Sequence, residues 1–148
     1  MAGAVVEANL NDPVSRHMRV DIARVHVDHT VGQTLAELRR RPPPARIVYF
    51  YVVDDEMRLK GVIPTRALLL SPPETKIADI MLPHVIAVPA DATVLEACEF
   101  FVFHRFLAFP VVDAERKLFG AIDVELYTDE LRDLNEGGFD HLFQLIGV

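Results

Sequence analysis

The chain repeats itself, and a repeat of this period decides the architecture before any single residue is interpreted. Residues 14–38 align with residues 77–101, matching Val14 with Ile77, Met18 with Met81, Ile22 with Val85, Val25 with Val88, Thr30 with Thr93 and Val31 with Val94. Beyond four extra residues in the first copy, YVVDDEMRLKGVI (51–63) faces PVVDAERKLFGAI (110–122), with seven identities in thirteen positions. The extra residues fall around Arg39–Arg46, where Pro42-Pro43-Pro44 makes a stiff connection. Two units of about 60 residues in tandem account for most of the 148.

Both copies share one local grammar. A short extended run (Ile22–Val27; Val85–Val88) leads to Asp and then Thr. Thr30 with Gln33, and Thr93 with Glu96, fit the capping box, in which a hydroxyl and a side-chain carbonyl satisfy the free donors of a helix start. Apolar residues then recur at helical spacing: Val31, Leu35 and Leu38, and Val94, Ala97, Cys98 and Phe101. A β-rich run (Ile47–Val53; Phe109–Val112), a charged turn (Asp54–Glu56; Asp113–Glu115) and a returning strand predict a hairpin. A second helix is expected at Thr65–Leu70 and Val124–Leu134. The predicted unit is β-α-β-β-α, twice.

Charge narrows the partners. The chain has 22 acids against 15 bases, a net charge of −7, which phosphate backbones repel, so no nucleic acid is expected as a partner. From Asp123 to Asp140 there are seven acids and one base, Arg132, so this segment carries most of the net charge. The longest apolar run, Ile47–Val53, is far below the ~20 residues of a membrane span, and the N-terminus lacks the basic and apolar regions of a signal peptide. The expectation is a cytoplasmic chain.

Catalytic chemistry finds no constellation in the sequence. There is no Gly-rich phosphate loop, and Cys98 stands on the apolar face of a predicted helix, where a buried inert thiol is expected. His26-Val-Asp-His29 spans a strand end and a turn without further ligands at metal spacing, so its histidines are read as solvated or structural.

The succession of D-x-T-V, an amphipathic helix, a strand ending in V-V-D, a polar turn, L-x-G and a helix resembles the CBS domain, named after cystathionine β-synthase. Val14–Leu70 and Ile77–Leu134 carry it as a tandem pair, leaving 135–148 as a C-terminal tail or connecting segment. The resemblance implies an α+β (α/β) fold of tandem β-α-β-β-α repeats in a pseudo-twofold CBS-pair (Bateman) module with two clefts between the copies. It also implies a homodimer of modules. More narrowly, YFYVVDDEMRLKGVIPTRALLLSPPETKIADIM, ACEFFVFHRFLAFPVVD and the tail DVELYTDEL…FDHLFQLIGV resemble the cytosolic CBS region of MgtE-type magnesium transporters. That likeness implies a regulatory module, not an enzyme, sensing Mg²⁺ and adenine nucleotides beside a membrane transporter domain. The alternative is a stand-alone adenosyl-ligand (ATP/AMP) sensor, or a plain dimerisation module that regulates a partner protein.

The resemblance also implies sites. Members that bind adenosyl ligands carry G, two apolar residues, T/S, two further residues and D, the Asp holding the ribose hydroxyls and the Thr or Ser a phosphate. Here the Gly falls on Gly61 and Gly120, the Thr/Ser on Pro64 and Asp123, and the Asp on Ala67 and Leu126, so both copies lack the ribose carboxylate. Thr65 and Arg66 stand close by as substitutes, and Ile86, Ala87, Phe109 and Pro110 offer backbone and apolar contacts to an adenine. Glu125, Asp129, Asp133 and Glu136 are the candidate Mg²⁺ ligands. On a helix they share one face, and a hard, oxygen-preferring cation would relieve their mutual repulsion.

Overall fold

The computed structural model describes residues 10–43, 47, 49–104 and 108–123. The predicted second helix of the second repeat, the tail 135–148 and the four candidate Mg²⁺ ligands lie outside these residues.

In the first repeat, β1 (Arg24–His26) leads into α1 (Val31–Arg40), then β2 (Tyr49–Val53), β3 (Leu59–Pro64) and α2 (Thr65–Leu70). After a short α3 (Ile77–Ile80), the second repeat sets β4 (Val88–Pro89), α4 (Val94–His104), β5 (Ala108–Val112) and β6 (Leu118–Asp123) in the same order. Each repeat forms a three-stranded sheet with the middle strand parallel to the first and antiparallel to the third. The architecture is the α+β tandem expected from the repeat.

Local chemistry explains the element starts. Thr30 Oγ1 accepts from the Gln33 backbone N–H (3.1 Å), while the Gln33 side chain accepts from the Thr30 N–H (2.9 Å). Thr93 and Glu96 repeat the exchange at 3.1 and 3.3 Å. In each hairpin turn an aspartate closes the loop: Asp54 Oδ1 accepts from the N–H groups of Glu56 and Arg58, and Asp113 Oδ1 from those of Glu115 and Lys117. Met57 and Arg116, at the same place in the two turns, take the left-handed backbone (φ 66° and 65°) that non-glycine residues adopt at a cost.

One residue makes the two sheets pair differently. In the first sheet Tyr51 N–H donates to Ala23 O (2.9 Å), and β1 pairs from Arg24 onward. Pro110 occupies the equivalent place in β5 and has no N–H to give, so β4 pairs only through Val88 and Pro89.

The leading segments are exchanged between repeats. Val14, at the head of the first repeat in sequence, is fully buried in the second core with Val88, Val94, Phe109 and Ile122. Ile77, at the head of the second, is fully buried in the first core with Val25, Val31, Phe50 and Ile63. The backbone follows: Arg19 pairs with Ala121 on β6, and Leu82 with Val62 on β3. A third cluster joins the two sheets face to face through Tyr51, Val53, Leu59, Val62, Val112, Leu118 and Ala121. Across that seam Leu59 N–H donates to Arg116 O and Leu118 N–H to Met57 O, each at 2.9 Å.

Gly61 and Gly120 make the exchange sterically feasible. A Cβ on Gly61 would stand 2.8 Å from both Leu82 O and Met81 Sδ, and one on Gly120 would collide with Arg19 O. Only a residue without a side chain lets the crossing segment lie against the strand.

Candidate functional site

Crossing the exchange point puts Arg19 and Asp21 of the leading segment, Tyr49 and Tyr51 of β2, and Ala121 and Asp123 of β6 around one cleft between the repeats. Ile22, Ala23, Ile47 and Ala108 complete its lining. Arg19 Nη1 donates to Asp123 Oδ2 at 3.1 Å, and Arg19 Nε lies 3.5 Å from Asp21 Oδ1. The Asp123 side chain is only 13% exposed, so this pair spans the cleft wall rather than solvent. The hydrogen bond that Arg19 gives to Asp123 raises the Arg19 pKa, against an opposing desolvation. Burial, with a smaller contribution from Tyr49 and Asp123, pushes the Tyr51 phenol above its usual value and keeps it neutral. The cleft encloses about 30 Å³, room for about one water molecule, so a larger ligand enters only if the wall opens.

The pseudo-equivalent positions on the other side lack this chemistry. Leu82 stands where Arg19 does and Pro64 where Asp123 does, while the backbone pairing of Leu82 with Val62 matches that of Arg19 with Ala121. The duplication has conserved the framework and placed the charge pair on one side.

Of the eight residues read from sequence as ligand contacts, Asp123 is the one that lines this cleft. Pro64 ends β3 and precedes α2, which begins with Thr65 and Arg66. Ile86 packs against the second core and Ala87 against the seam between the sheets. Phe109 is fully buried, edge-on to Phe100 and Phe101, so its ring serves the core, and Pro110 is a buried residue of β5. Arg19, Tyr49 and Tyr51 were missed: the repeat alignment pairs Arg19 with Leu82, and nothing local in the sequence signals that Arg19 meets a residue 104 positions away. Among the described residues no cluster of three or more His, Cys, Asp or Glu is arranged to hold a metal ion. Nor is any helix among them long and apolar enough to cross a membrane.

The family model for the CBS domain matches residues 14–73 and 77–125. The magnesium transporter MgtE of Thermus thermophilus is 37% identical over 115 residues, which span 77% of this chain and 26% of the transporter. The MgtE of Enterococcus faecalis is 31% identical over 117 residues. This chain thus spans about a quarter of the length of these relatives. The cytosolic domain of the Mg²⁺ channel MgtE, solved in complex with ATP, superposes with a TM-score of 0.74 at 34% identity, over 85% of this chain and 51% of that one. The soluble part of a magnesium transporter superposes at 0.76 with 27% identity, over 89% of this chain and 52% of that one. With the repeats seen in the sequence, the paired sheets and these matches in agreement, the chain belongs to the CBS domain family and carries the domain twice in tandem.

Proposed function

We propose that this CBS pair is a regulatory ligand-sensing module of magnesium transport, the cytosolic part or a soluble relative of an MgtE-type transporter, and that it acts by binding rather than catalysis. One observation carries the reading: the chain shares its fold, at 34% identity over 85% of its length, with an MgtE cytosolic domain solved with ATP. A nucleotide ligand would need the inter-repeat cleft to open and Arg19 to leave Asp123, after which Arg19 offers a cation to phosphates and Tyr49 and Tyr51 offer rings beside it. For Mg²⁺ the reading rests on Glu125, Asp129, Asp133 and Glu136, whose carboxylates suit a hard cation.

Mechanistically, such a module works as a homodimer whose ligand prefers one arrangement of the two copies. Only a difference in affinity between arrangements can do work on an attached transporter domain.

Calorimetric titration of the metal-free chain with MgCl₂, then with ATP and AMP, tests this. Millimolar or tighter Mg²⁺ binding that disappears in the Asp129→Asn/Asp133→Asn variant is the expected result. Nucleotide binding without a magnesium response would shift the assignment to an adenosyl-ligand sensor. Binding of neither would leave a dimerisation module and overturn the sensing reading.

A further inference from the structure

One side chain in the wall of the inter-repeat cleft has a polar group without a partner. Tyr51 is only 3% exposed and packs in the seam with Val53, Val62 and Ala121, yet it also lines the cleft beside Arg19 and Asp123. Its backbone is fixed: the N–H donates to Ala23 O at 2.9 Å, and β2 pairs it with Val62 of β3. Among the described residues its hydroxyl makes no hydrogen bond. Burial, Tyr49 and Asp123 all act to keep it protonated.

A buried phenol ordinarily finds a hydrogen-bond partner, and burying one without a partner is unfavourable. The seam alone gives no reason for the hydroxyl, since a phenylalanine would fill the same space without that cost. Nor does the duplication, because Pro110 holds the equivalent place in the second repeat. The hydroxyl therefore belongs to one side of the pseudo-twofold, the side that also carries Arg19 and Asp123.

The surroundings restrict what the hydroxyl can meet. Asp21 and Asp123 line the same cleft, and two carboxylates disfavour an anion beside the phenol. Arg19, the cation among the lining residues, is where a phosphate would go. A neutral phenol has one proton to donate, and the atom that suits it here is an uncharged acceptor such as a ring nitrogen or a sugar oxygen.

We infer that Tyr51 is the residue through which this cleft recognises the uncharged part of its ligand, its hydroxyl donating to an acceptor atom of the nucleoside while Arg19 takes the phosphates. The inference rests on the nucleotide reading above and adds to it a contact that does not involve phosphate. In the closed cleft there is room for about one water molecule to meet the hydroxyl. The ligand atom takes that place when the wall opens.

The test is Tyr51→Phe in the whole chain, which keeps the ring and removes the donor. Calorimetric titration with adenosine and with ATP should show both affinities falling about tenfold and by the same factor, the loss of one hydrogen bond to the part the two ligands share. The urea midpoint of the variant should equal or exceed that of the parent, because no hydrogen bond within the protein is lost. A clearly lower midpoint would mean that the hydroxyl already has its partner in the protein, and overturns the inference. So does a variant that binds both ligands as the parent does, or one that loses affinity for ATP alone; the nucleotide reading survives either result. If the parent chain binds neither ligand, the nucleotide reading fails first and the role of Tyr51 falls with it.

Discussion

Arg19 and Asp123 are held 3.1 Å apart, joining the leading segment of one repeat to the last strand of the other. Breaking the pair should have two separable effects. In Asp123→Asn the guanidinium keeps a weaker, neutral acceptor, so stability should fall by roughly 1–2 kcal/mol, between the values of exposed and buried ion pairs. The same change frees Arg19 for an incoming phosphate and removes a carboxylate that would repel it. ATP affinity should therefore rise several-fold while that of adenosine stays constant, as calorimetry on the parent chain and the variant would show. A fall in ATP affinity would mean that Asp123 itself holds the ligand.

The exchange of leading segments depends on two glycines. Gly61→Ala brings a Cβ to 2.8 Å from the Leu82 carbonyl, and Gly120→Ala drives one into the Arg19 carbonyl. Backbone cannot swing aside as a side-chain tip can, so each change should cost about 1–3 kcal/mol. Urea denaturation curves of the two variants measure this directly. Midpoints equal to that of the parent chain would refute the account.

Phe109 separates a packing role from a ligand role. Its ring is fully buried, with centroids 4.9 Å from Phe101 and 5.8 Å from Phe100. Phe109→Ala should cost about 3–5 kcal/mol, enough to unfold a marginal chain. Phe109→Leu, which refills most of the volume, should restore folding and leave any nucleotide affinity near that of the parent.

Acid should loosen the first hairpin turn. The Asp54 carboxyl, despite partial desolvation, is held below its ordinary pKa of 3.8, chiefly by the N–H groups of Arg58 and Glu56. A depressed folded-state pKa means that the stabilisation is fully present above the ordinary value and is lost as the pH falls through the folded-state value. Replacing Asp54 with Asn should therefore flatten the pH dependence of stability below about pH 4 and leave the slope near neutrality unchanged. Thermal melts from neutral pH down to about pH 2 would reveal it.

What could be read in the sequence is what is settled within a few residues along the chain. The capping pairs Thr30–Gln33 and Thr93–Glu96 and the turns closed by Asp54 and Asp113 form from groups no more than four positions apart. Their residue types declare them, and the duplication declares them twice. The strand at Val85–Val88 came out shorter and later than its pattern suggests, and Pro110 removes the one donor that in the first repeat, at Tyr51, holds the carbonyl ahead of the strand. The exchange of Val14 and Ile77 was not legible: two repeats of one pattern offer each segment two nearly equivalent grooves, and local preference is the same for both. Linker geometry and packing across the seam choose between them. The charged cleft exists only after that choice, since a hydrogen bond across 104 residues has no signature in sequence spacing. The repeat determined which elements form, and tertiary packing decided which side chains meet, because burial is paid out by whole surfaces rather than by neighbours along the chain.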